Sequence, residues 1–241
     1  LDYEKVMPTN PPSPESPTPS PAGPAHRPPR PRWQLGERTA RFPILHAMSQ
    51  RVLLCDGAMG TMIQRAQLTP EDFDGKDGCN ELLVATRPEV IEQIHRAYLD
   101  VGADVIETNS FGSTPLVLGE YGIADRAYEL SFQAAAIARK AAAAVSTPWP
   151  RFVAGAVGPT TKLVSLGHIA FTELLESFAV QIHGLIAGGA DIIQIETGQD
   201  ILGIKCAVLA ARLGMERAGR EVPIITQVTM ETTGTMLVGT E

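Results

Sequence analysis

The sequence lacks most of the features that mark membrane, secreted and nucleic-acid-binding proteins. Its 241 residues include three cysteines and 5% aromatic residues, and the formal net charge is -7. No apolar run approaches the roughly 20 residues that cross a bilayer, and no apolar signal-peptide core follows the N-terminus. The basic residues form no long run, so nothing indicates binding to nucleic acid or to an anionic membrane surface. We therefore expect a cytoplasmic protein that binds neither nucleic acid nor a membrane. Small molecules are the class of ligand that the composition leaves.

The sequence has three widely spaced cysteines, Cys55, Cys79 and Cys206, which fit neither a disulfide framework nor a structural zinc site. An odd number at wide spacing argues against a disulfide framework. No Cys-x-x-Cys pair is present, which is the spacing typical of a structural zinc site. The residue pattern thus predicts neither disulfides nor a metal site in this chain.

Proline and serine divide the chain near residue 45. Residues 1–45 are rich in both and contain little that a core would bury, which predicts a disordered or polyproline-like tail. A proline-rich ligand for an aromatic-groove domain is the alternative interpretation of this tail. Residues 46–241 carry the regular apolar pattern of a folded domain.

Short β-branched runs alternate with amphipathic helical patterns through residues 46–241. Strands are predicted at five runs that are apolar on both faces: 52–55, 104–108, 152–157, 191–196 and 222–229. Helices are predicted where apolar residues recur every three or four positions: 87–102, 124–145, 171–189 and 201–219. Alternating strands and helices predict right-handed βαβ units and a parallel sheet. Such a sheet either closes as a barrel or stays open as a doubly wound sheet.

A phrase that occurs twice favours the barrel. GADVIETN begins at Gly102 and GADIIQIETG at Gly189, so two similar half-units lie 87 residues apart (189 minus 102). In each copy a helix ends at the glycine, a strand begins at the aspartate, and the strand ends at Glu107 or Glu196. Both glutamates follow their aspartate by an odd number of residues, so both carboxylates are expected on one face of the sheet. Ligands gather at the carboxyl ends of parallel strands, which makes this end the predicted site.

The end of the first predicted strand adds two candidates. Asp56 lies at the strand tip, and Gly57 allows the backbone to approach a ligand closely. DGAMGT lacks the spacing of a dinucleotide-binding loop, and no phosphate-binding P-loop motif is present, so neither kind of nucleotide site is predicted. Asn109, just after the second strand, is a weaker candidate for the same mouth. Glu107 is expected to brace the site, and Glu196 to bind the ligand.

Four stretches of the sequence together resemble a known family. They are DGAMGTMIQ, NELLVATRPEVIEQIHRAYLDVGADVIETNSFGST, VAGAVGPT and GGADIIQIETGQD, and they occur in order across residues 52–241. This part of the chain is similar to the homocysteine-binding domain of cobalamin-dependent methionine synthases, within the homocysteine S-methyltransferase family. Two parts of the second stretch, NELLVATRPEVI and ETNSFGST, look closer to these enzymes than to the betaine-dependent ones.

The resemblance implies an α/β fold of the (βα)8 TIM-barrel family, with about the first five strands present, and a mouth that binds homocysteine. It implies that Asp56 and Glu196 receive the substrate ammonium group, that the Gly57 amide forms part of the carboxylate site, and that Asn109 lies at the same mouth. It also implies a zinc ion on three cysteine thiolates, and a methyl group carried by methylcobalamin and ultimately supplied by methyltetrahydrofolate. Folate- and cobalamin-binding domains are expected downstream in the full-length protein.

The chain departs from that pattern at the zinc site. The zinc cysteines of the family follow later strands, and none of Cys55, Cys79 and Cys206 matches one of them. We therefore expect a truncated chain that lacks the zinc ligands and is inactive by itself. Other readings stay open: a cobalamin-independent methyltransferase that uses betaine or S-methylmethionine, a different barrel enzyme such as an aldolase, or a non-catalytic fragment that binds an amino acid.

Overall fold

The structure, a computed structural model, describes residues 39–240. Residues 1–38 of the tail predicted at 1–45 therefore lie outside the described residues. Helix α1, Pro43–Gln50, spans the predicted boundary at residue 45. Ile44 in this helix is 3% exposed and packs in a cluster with Val105 and Phe152. The packed part of the chain thus includes the last residues assigned to the tail.

Parallel strands form one sheet in the order of the chain. They are β1 Val105–Glu107, β2 Phe152–Val157, β3 Ile192–Gly198 and β4 Ile224–Val228. Each pairs in parallel with the next. The strand predicted at 52–55 is reduced to a single bridge between Cys55 and Val105. A ladder needs successive residues to pair with a neighbour, so the described residues contain four of the five predicted strands and one bridge.

Helices connect the strands where the apolar periodicity predicts them. The long ones are α4 Pro88–Asp100, α6 Ala127–Ala143, α7 Phe171–Ala187 and α8 Ile201–Ala218. The shorter ones are α2 Met59–Arg65, α3 Leu83–Thr86 and α5 Pro115–Gly119. Asp200 caps α8 by accepting a hydrogen bond from the Gly203 amide. None of the helices in the described part of the chain is long and apolar enough to cross a membrane.

The two faces of the sheet differ in what covers them. Ile106, Val153 and Ile193 are buried against the helices. Because the strand order follows the chain order, right-handed crossovers place the connecting helices on the same face. The alternating residues, among them Glu107 and Gln194, therefore belong to the opposite face. One face covered by helices and a separate interior face are typical of a barrel, whereas a doubly wound sheet carries helices on both faces.

The Gly-Ala-Asp phrase has the same local structure in both copies. The glycine of each copy has a positive φ, 105° and 108°, which favours glycine. Asp104 accepts a hydrogen bond of 3.0 Å from the Leu54 amide, and Asp191 accepts one of 2.8 Å from the Val153 amide. Asp104 ties the start of β1 to the segment beside the Cys55 bridge, and Asp191 ties the start of β3 to strand β2. We call these two contacts the strand clamps.

Arginines complete the strand clamps, and the two clamps differ in burial. Arg51 donates two hydrogen bonds of 2.7 Å to Asp104, and Arg151 donates a further one. The hydrogen bonds from Arg51 hold the pKa of Asp104 below its usual range. Arg139 donates to Asp191, whose side chain is 25% exposed against 5% for Asp104. Both clamps lie at the amino ends of the strands.

Candidate functional site

A cleft of about 370 Å³ opens at the carboxyl ends of the strands. The four residues predicted from the sequence, Asp56, Gly57, Asn109 and Glu196, all line it. They come from the bridge at Cys55, from the loop after β1 and from β3. The fold thus brings them together because parallel strands end at one edge of the sheet.

Asp56 follows the bridge and is held by the backbone of β1. Its Oδ2 accepts a hydrogen bond of 3.0 Å from the Glu107 amide. Its Oδ1 is buried and has no hydrogen-bond partner among the described residues. Burial, together with the negative charges of Glu107 and Glu196, raises the pKa of Asp56 to about 7. A buried polar oxygen without a partner is unfavourable until a proton or a ligand satisfies it.

The loop at Gly57 rests on a tyrosine of helix α4. The Tyr98 hydroxyl donates to the Ala58 carbonyl at 3.1 Å. A Cβ atom added to Gly57 would lie 3.1 Å from the Tyr98 hydroxyl oxygen, so a larger residue would press on the ring. The Gly57 amide has no hydrogen-bond partner within the described residues. Glycine therefore permits the close approach and leaves this amide unpaired.

Glu196 lies where strand β3 is irregular. The register between β3 and β4 shifts between Ile195 and Gly198, and Thr197 has a φ of +54°. A left-handed conformation is uncommon for a β-branched residue, and irregularities of this kind re-aim side chains next to sites. Burial and the charge of Glu107 raise the pKa of Glu196 to about 7. The cleft thus contains two carboxyl groups that exchange protons near neutral pH.

Glu107 stands between these two groups. The Gln194 side-chain amide donates a hydrogen bond to its carboxylate. Gln194 is two residues before Glu196 and therefore on the same face of β3. This contact places Glu107 beside Gln194, and both Glu107 and Glu196 line the cleft. The negative charge of Glu107 acts on both Asp56 and Glu196.

A 3-10 turn, Asn80–Leu82, holds the loop that follows β1. The Asn109 side-chain amide donates to the Asn80 carbonyl at 2.7 Å, and Glu81 accepts a hydrogen bond of 2.7 Å from the Gly112 amide. Burial raises the pKa of Glu81. Because the Asn109 nitrogen is already bonded to the turn, Asn109 shapes the wall of the cleft.

The cleft is negatively charged. Its described lining includes four acids, Asp56, Glu81, Glu107 and Glu196, and no lysine, arginine or histidine. Lys162 lines a neighbouring hollow that shares Glu196 with the cleft. A positively charged ligand group would offset the repulsion between these carboxylates. The arrangement therefore favours a cation over an anion.

The described residues do not fit a zinc ion. Within residues 39–240, no group of three His, Cys, Asp or Glu side chains is arranged to hold a metal. Cys79 and Cys206 are buried in separate core clusters, and burial raises the pKa of each thiol to about 11. A raised pKa opposes the thiolate form that binds zinc. Cys55 is exposed beside the sheet.

Sequence reasoning misses three residues of this region: Glu81, Phe111 and Gln194. Gln194 carries a readable signal, because it is a polar residue inside an apolar strand and shares the parity of Glu196. Glu81 lies in a short turn where no periodicity indicates the side-chain direction. Phe111 has no local signal beyond its place two residues after Asn109.

Comparisons with known proteins identify the family of the chain and agree with its fold. Residues 53–241 match the family model described as homocysteine S-methyltransferase. Methionine synthase of Mycobacterium tuberculosis (strain ATCC 25618 / H37Rv) is 50% identical over 199 residues, and methionine synthase of Mycobacterium leprae (strain TN) is 48% identical over 199 residues. Each match covers 82% of this chain, but 17% and 16% of those proteins. The chain thus spans only a small part of the length of the curated relatives it matches.

A solved structure supports the architecture. The metallated form of the homocysteine methyltransferase MmuM from Escherichia coli matches with a TM-score of 0.66 at 22% sequence identity. The match covers 82% of this chain and 70% of that chain. The prediction of a partial barrel of the α/β class is therefore confirmed.

Proposed function

The chain belongs to the homocysteine S-methyltransferase family, and on that basis we propose that its cleft binds homocysteine as the methyl acceptor in a methionine synthase reaction. The observation that carries this proposal is the acidic cleft itself. Asp56 and Glu196 meet there without a basic residue among the described lining residues. An amino acid brings the ammonium group that such a cleft favours.

Asp56 and Glu196 are proposed to bind the ammonium group. Its positive charge would satisfy the buried, unpartnered Oδ1 of Asp56 and would favour the ionised form of both carboxyl groups. The Gly57 amide is proposed to donate to the substrate carboxylate, because it has no partner in the described part of the chain. Asn109 is proposed to form the adjacent wall.

The proposed reaction converts homocysteine to methionine. The thiol gives its proton to solvent, the sulfur forms a bond to the methyl carbon, and the bond between that carbon and its donor breaks with its electron pair left on the donor. Asp56, Gly57 and Glu196 bind and orient the amino-acid end of the substrate. Their binding energy fixes the position of the sulfur for the transfer. Fixing the sulfur lowers the entropic part of the activation barrier.

Zinc, methylcobalamin and further domains are proposed for the whole protein. The support is the resemblance to cobalamin-dependent enzymes, together with the much greater length of the related methionine synthases. Folate- and cobalamin-binding domains would supply the methyl donor. A cytoplasmic location is proposed because all three cysteines are free, which is typical of a reducing compartment.

Calorimetric titration with L-homocysteine tests the substrate assignment. We expect Glu196→Gln to weaken binding by about 10-fold or more, because it removes one charge from a hydrogen bond to the ammonium group. Glu216→Gln, on the exposed face of α8, is the matched control and should bind like the unmodified chain. Equal affinity in the Glu196 variant and the unmodified chain would contradict the proposal.

A further inference from the structure

Phe111 stands out among the residues that line the acidic cleft. It is the one aromatic side chain in the described lining, and it is 43% exposed. Around it the cleft is formed mainly by carboxylates, small polar side chains and glycine-rich backbone. An apolar ring in such surroundings offers a packing surface for the apolar part of a ligand.

Gly158 holds the Phe111 ring from the side of strand β2. The Gly158 amide donates to the Phe111 carbonyl at 3.0 Å. A Cβ atom added to Gly158 would lie 2.6 Å from two carbons of the ring, which is closer than any packed contact. Any larger residue at this position would therefore move the ring. The glycine creates the notch in which the ring lies.

Hydrogen bonds anchor the backbone on both sides of Phe111. The Ser110 carbonyl accepts a hydrogen bond of 2.6 Å from the buried side chain of Gln181. Glu81 accepts the hydrogen bond from the Gly112 amide, and a Cβ atom at Gly112 would lie 2.9 Å from the Glu81 Oε1 atom. The segment is thus fixed before a ligand arrives, which is what a selective wall requires.

We propose that Phe111 is a specificity-determining residue that packs against the methylene chain of the bound amino acid, and that Glu81 and Gly158 are positioning residues for its ring. This inference rests on the proposed function. The acids recognise only the ammonium group, which every amino acid carries. Discrimination by side-chain length therefore needs a contact beyond the ammonium group, and Phe111 supplies the aromatic one among the described lining residues.

Selectivity between two amino acids tests the role of Phe111. L-cysteine is one methylene shorter than L-homocysteine, and a methylene in an apolar contact is worth about 10-fold in affinity. We expect the unmodified chain to prefer homocysteine by that factor in calorimetric titrations, and Phe111→Ala to reduce the ratio towards one. Phe132→Ala is the matched control, because Phe132 is 40% exposed on helix α6. Phe111→Leu keeps an apolar side chain and should retain part of the preference. It replaces the alanine variant as the test if that variant is poorly folded.

The positioning residues are tested with paired substitutions. In Glu81→Gln the amide oxygen still accepts the Gly112 hydrogen bond, so the preference for homocysteine should be retained. In Glu81→Leu the acceptor is lost, and the preference should fall as in Phe111→Ala. Gly158→Ala should have the same effect, because the ring must move. The amide proton resonance of Gly112 reports the contact directly, and it should shift in the leucine variant much more than in the glutamine variant.

The outcomes separate the inference from the function on which it rests. If the unmodified chain binds neither amino acid, the proposed function fails, and the assignment of Phe111 fails with it. If homocysteine binds and depends on Glu196 while Phe111→Ala keeps the preference, only the inference is overturned. If Glu81→Gln loses the preference as fully as Glu81→Leu, Glu81 acts through its charge and is not a positioning residue.

Discussion

At the scale of single residues, the acids of the cleft are expected to oppose folding stability. The pKa of Glu196 is about 7, well above the value of about 4 for a free glutamate. Between these pH values the folded chain binds more protons than the unfolded chain. Stability therefore falls as the pH rises from about 4 to about 7.

Because ionised Glu196 lowers the stability of the folded chain, Glu196→Gln is predicted to stabilise the chain at pH 8. Its melting temperature should exceed that of the unmodified chain by about 2 °C at this pH, since the penalty for ionising a partly buried group is removed. At about pH 3 the two melting temperatures should agree, because the glutamate is then protonated in both the folded and the unfolded state. Thermal denaturation at both pH values checks this, and a variant that melts earlier at pH 8 would count against it.

The same substitution thus has opposite expected effects on binding and on stability. Homocysteine affinity should fall while the melting temperature rises. A site that holds Asp56 and Glu196 close to Glu107 gains affinity for a cation but lowers the stability of the ligand-free protein. Such conflicts are common at functional sites. Residues that only support the fold would not show this combination.

At the scale of secondary structure elements, the strand clamps connect the start of a strand to the segment that precedes it in the sheet. Asp104→Asn should lower the free energy of unfolding by about 3 kcal/mol, because two arginines would lose a buried anionic partner. Asp191→Asn should cost less, since this side chain is more exposed. Urea denaturation of both variants gives the comparison. Losses of equal size would show that burial does not set the strength of a clamp.

The pH dependence of the Asp104 clamp has the opposite sign to that of Glu196. Arg51 lowers the pKa of Asp104, so its contribution is present above the pKa of the unfolded chain and disappears as the pH falls through the folded value. The difference between Asp104→Asn and the unmodified chain should therefore shrink under acid conditions.

Helices were more predictable from the sequence than strands. The periodicity in 171–189 identifies helix α7 because each turn of a helix on the sheet buries one side. Residues 52–55 have the composition of a buried strand, but only Cys55 pairs with a neighbour. Strand formation depends on a partner that lies far away in the chain, and local composition does not report it.

The location of the site was predictable, whereas its supporting contacts were not. Asp56 and Glu196 follow from the rule that parallel strands gather their carboxyl ends. The contact between Glu81 and Gly112 depends on how a short turn packs on a distant loop, and no pattern in the sequence encodes that distance. Phe111 was missed for the same reason.

At the scale of the whole molecule, the amino ends of the strands contribute to stability and the carboxyl ends form the cleft. Helix α1 packs Ile44 against residues at the amino ends of the strands, whereas the cleft lies at the carboxyl ends. This division is typical of βα barrels, in which loops at one end vary in function and the other end supports stability.

The division predicts that Ile44→Ala lowers stability without changing ligand affinity. Removing this buried side chain should cost about 2–4 kcal/mol of unfolding free energy. Ile44→Val, which removes one methyl group, should cost about 1 kcal/mol. Homocysteine affinity, measured well below the melting temperature, should match that of the unmodified chain. A loss of affinity in the valine variant would show that the two ends are coupled.

The strand clamps also have a direction along the chain. Asp104 reaches back to Leu54, and Asp191 reaches back to Val153, so each aspartate binds a segment that precedes it. On the ribosome, the earlier segment has already been made when its partner emerges. The segment that each aspartate binds is therefore available as soon as the aspartate itself has been made.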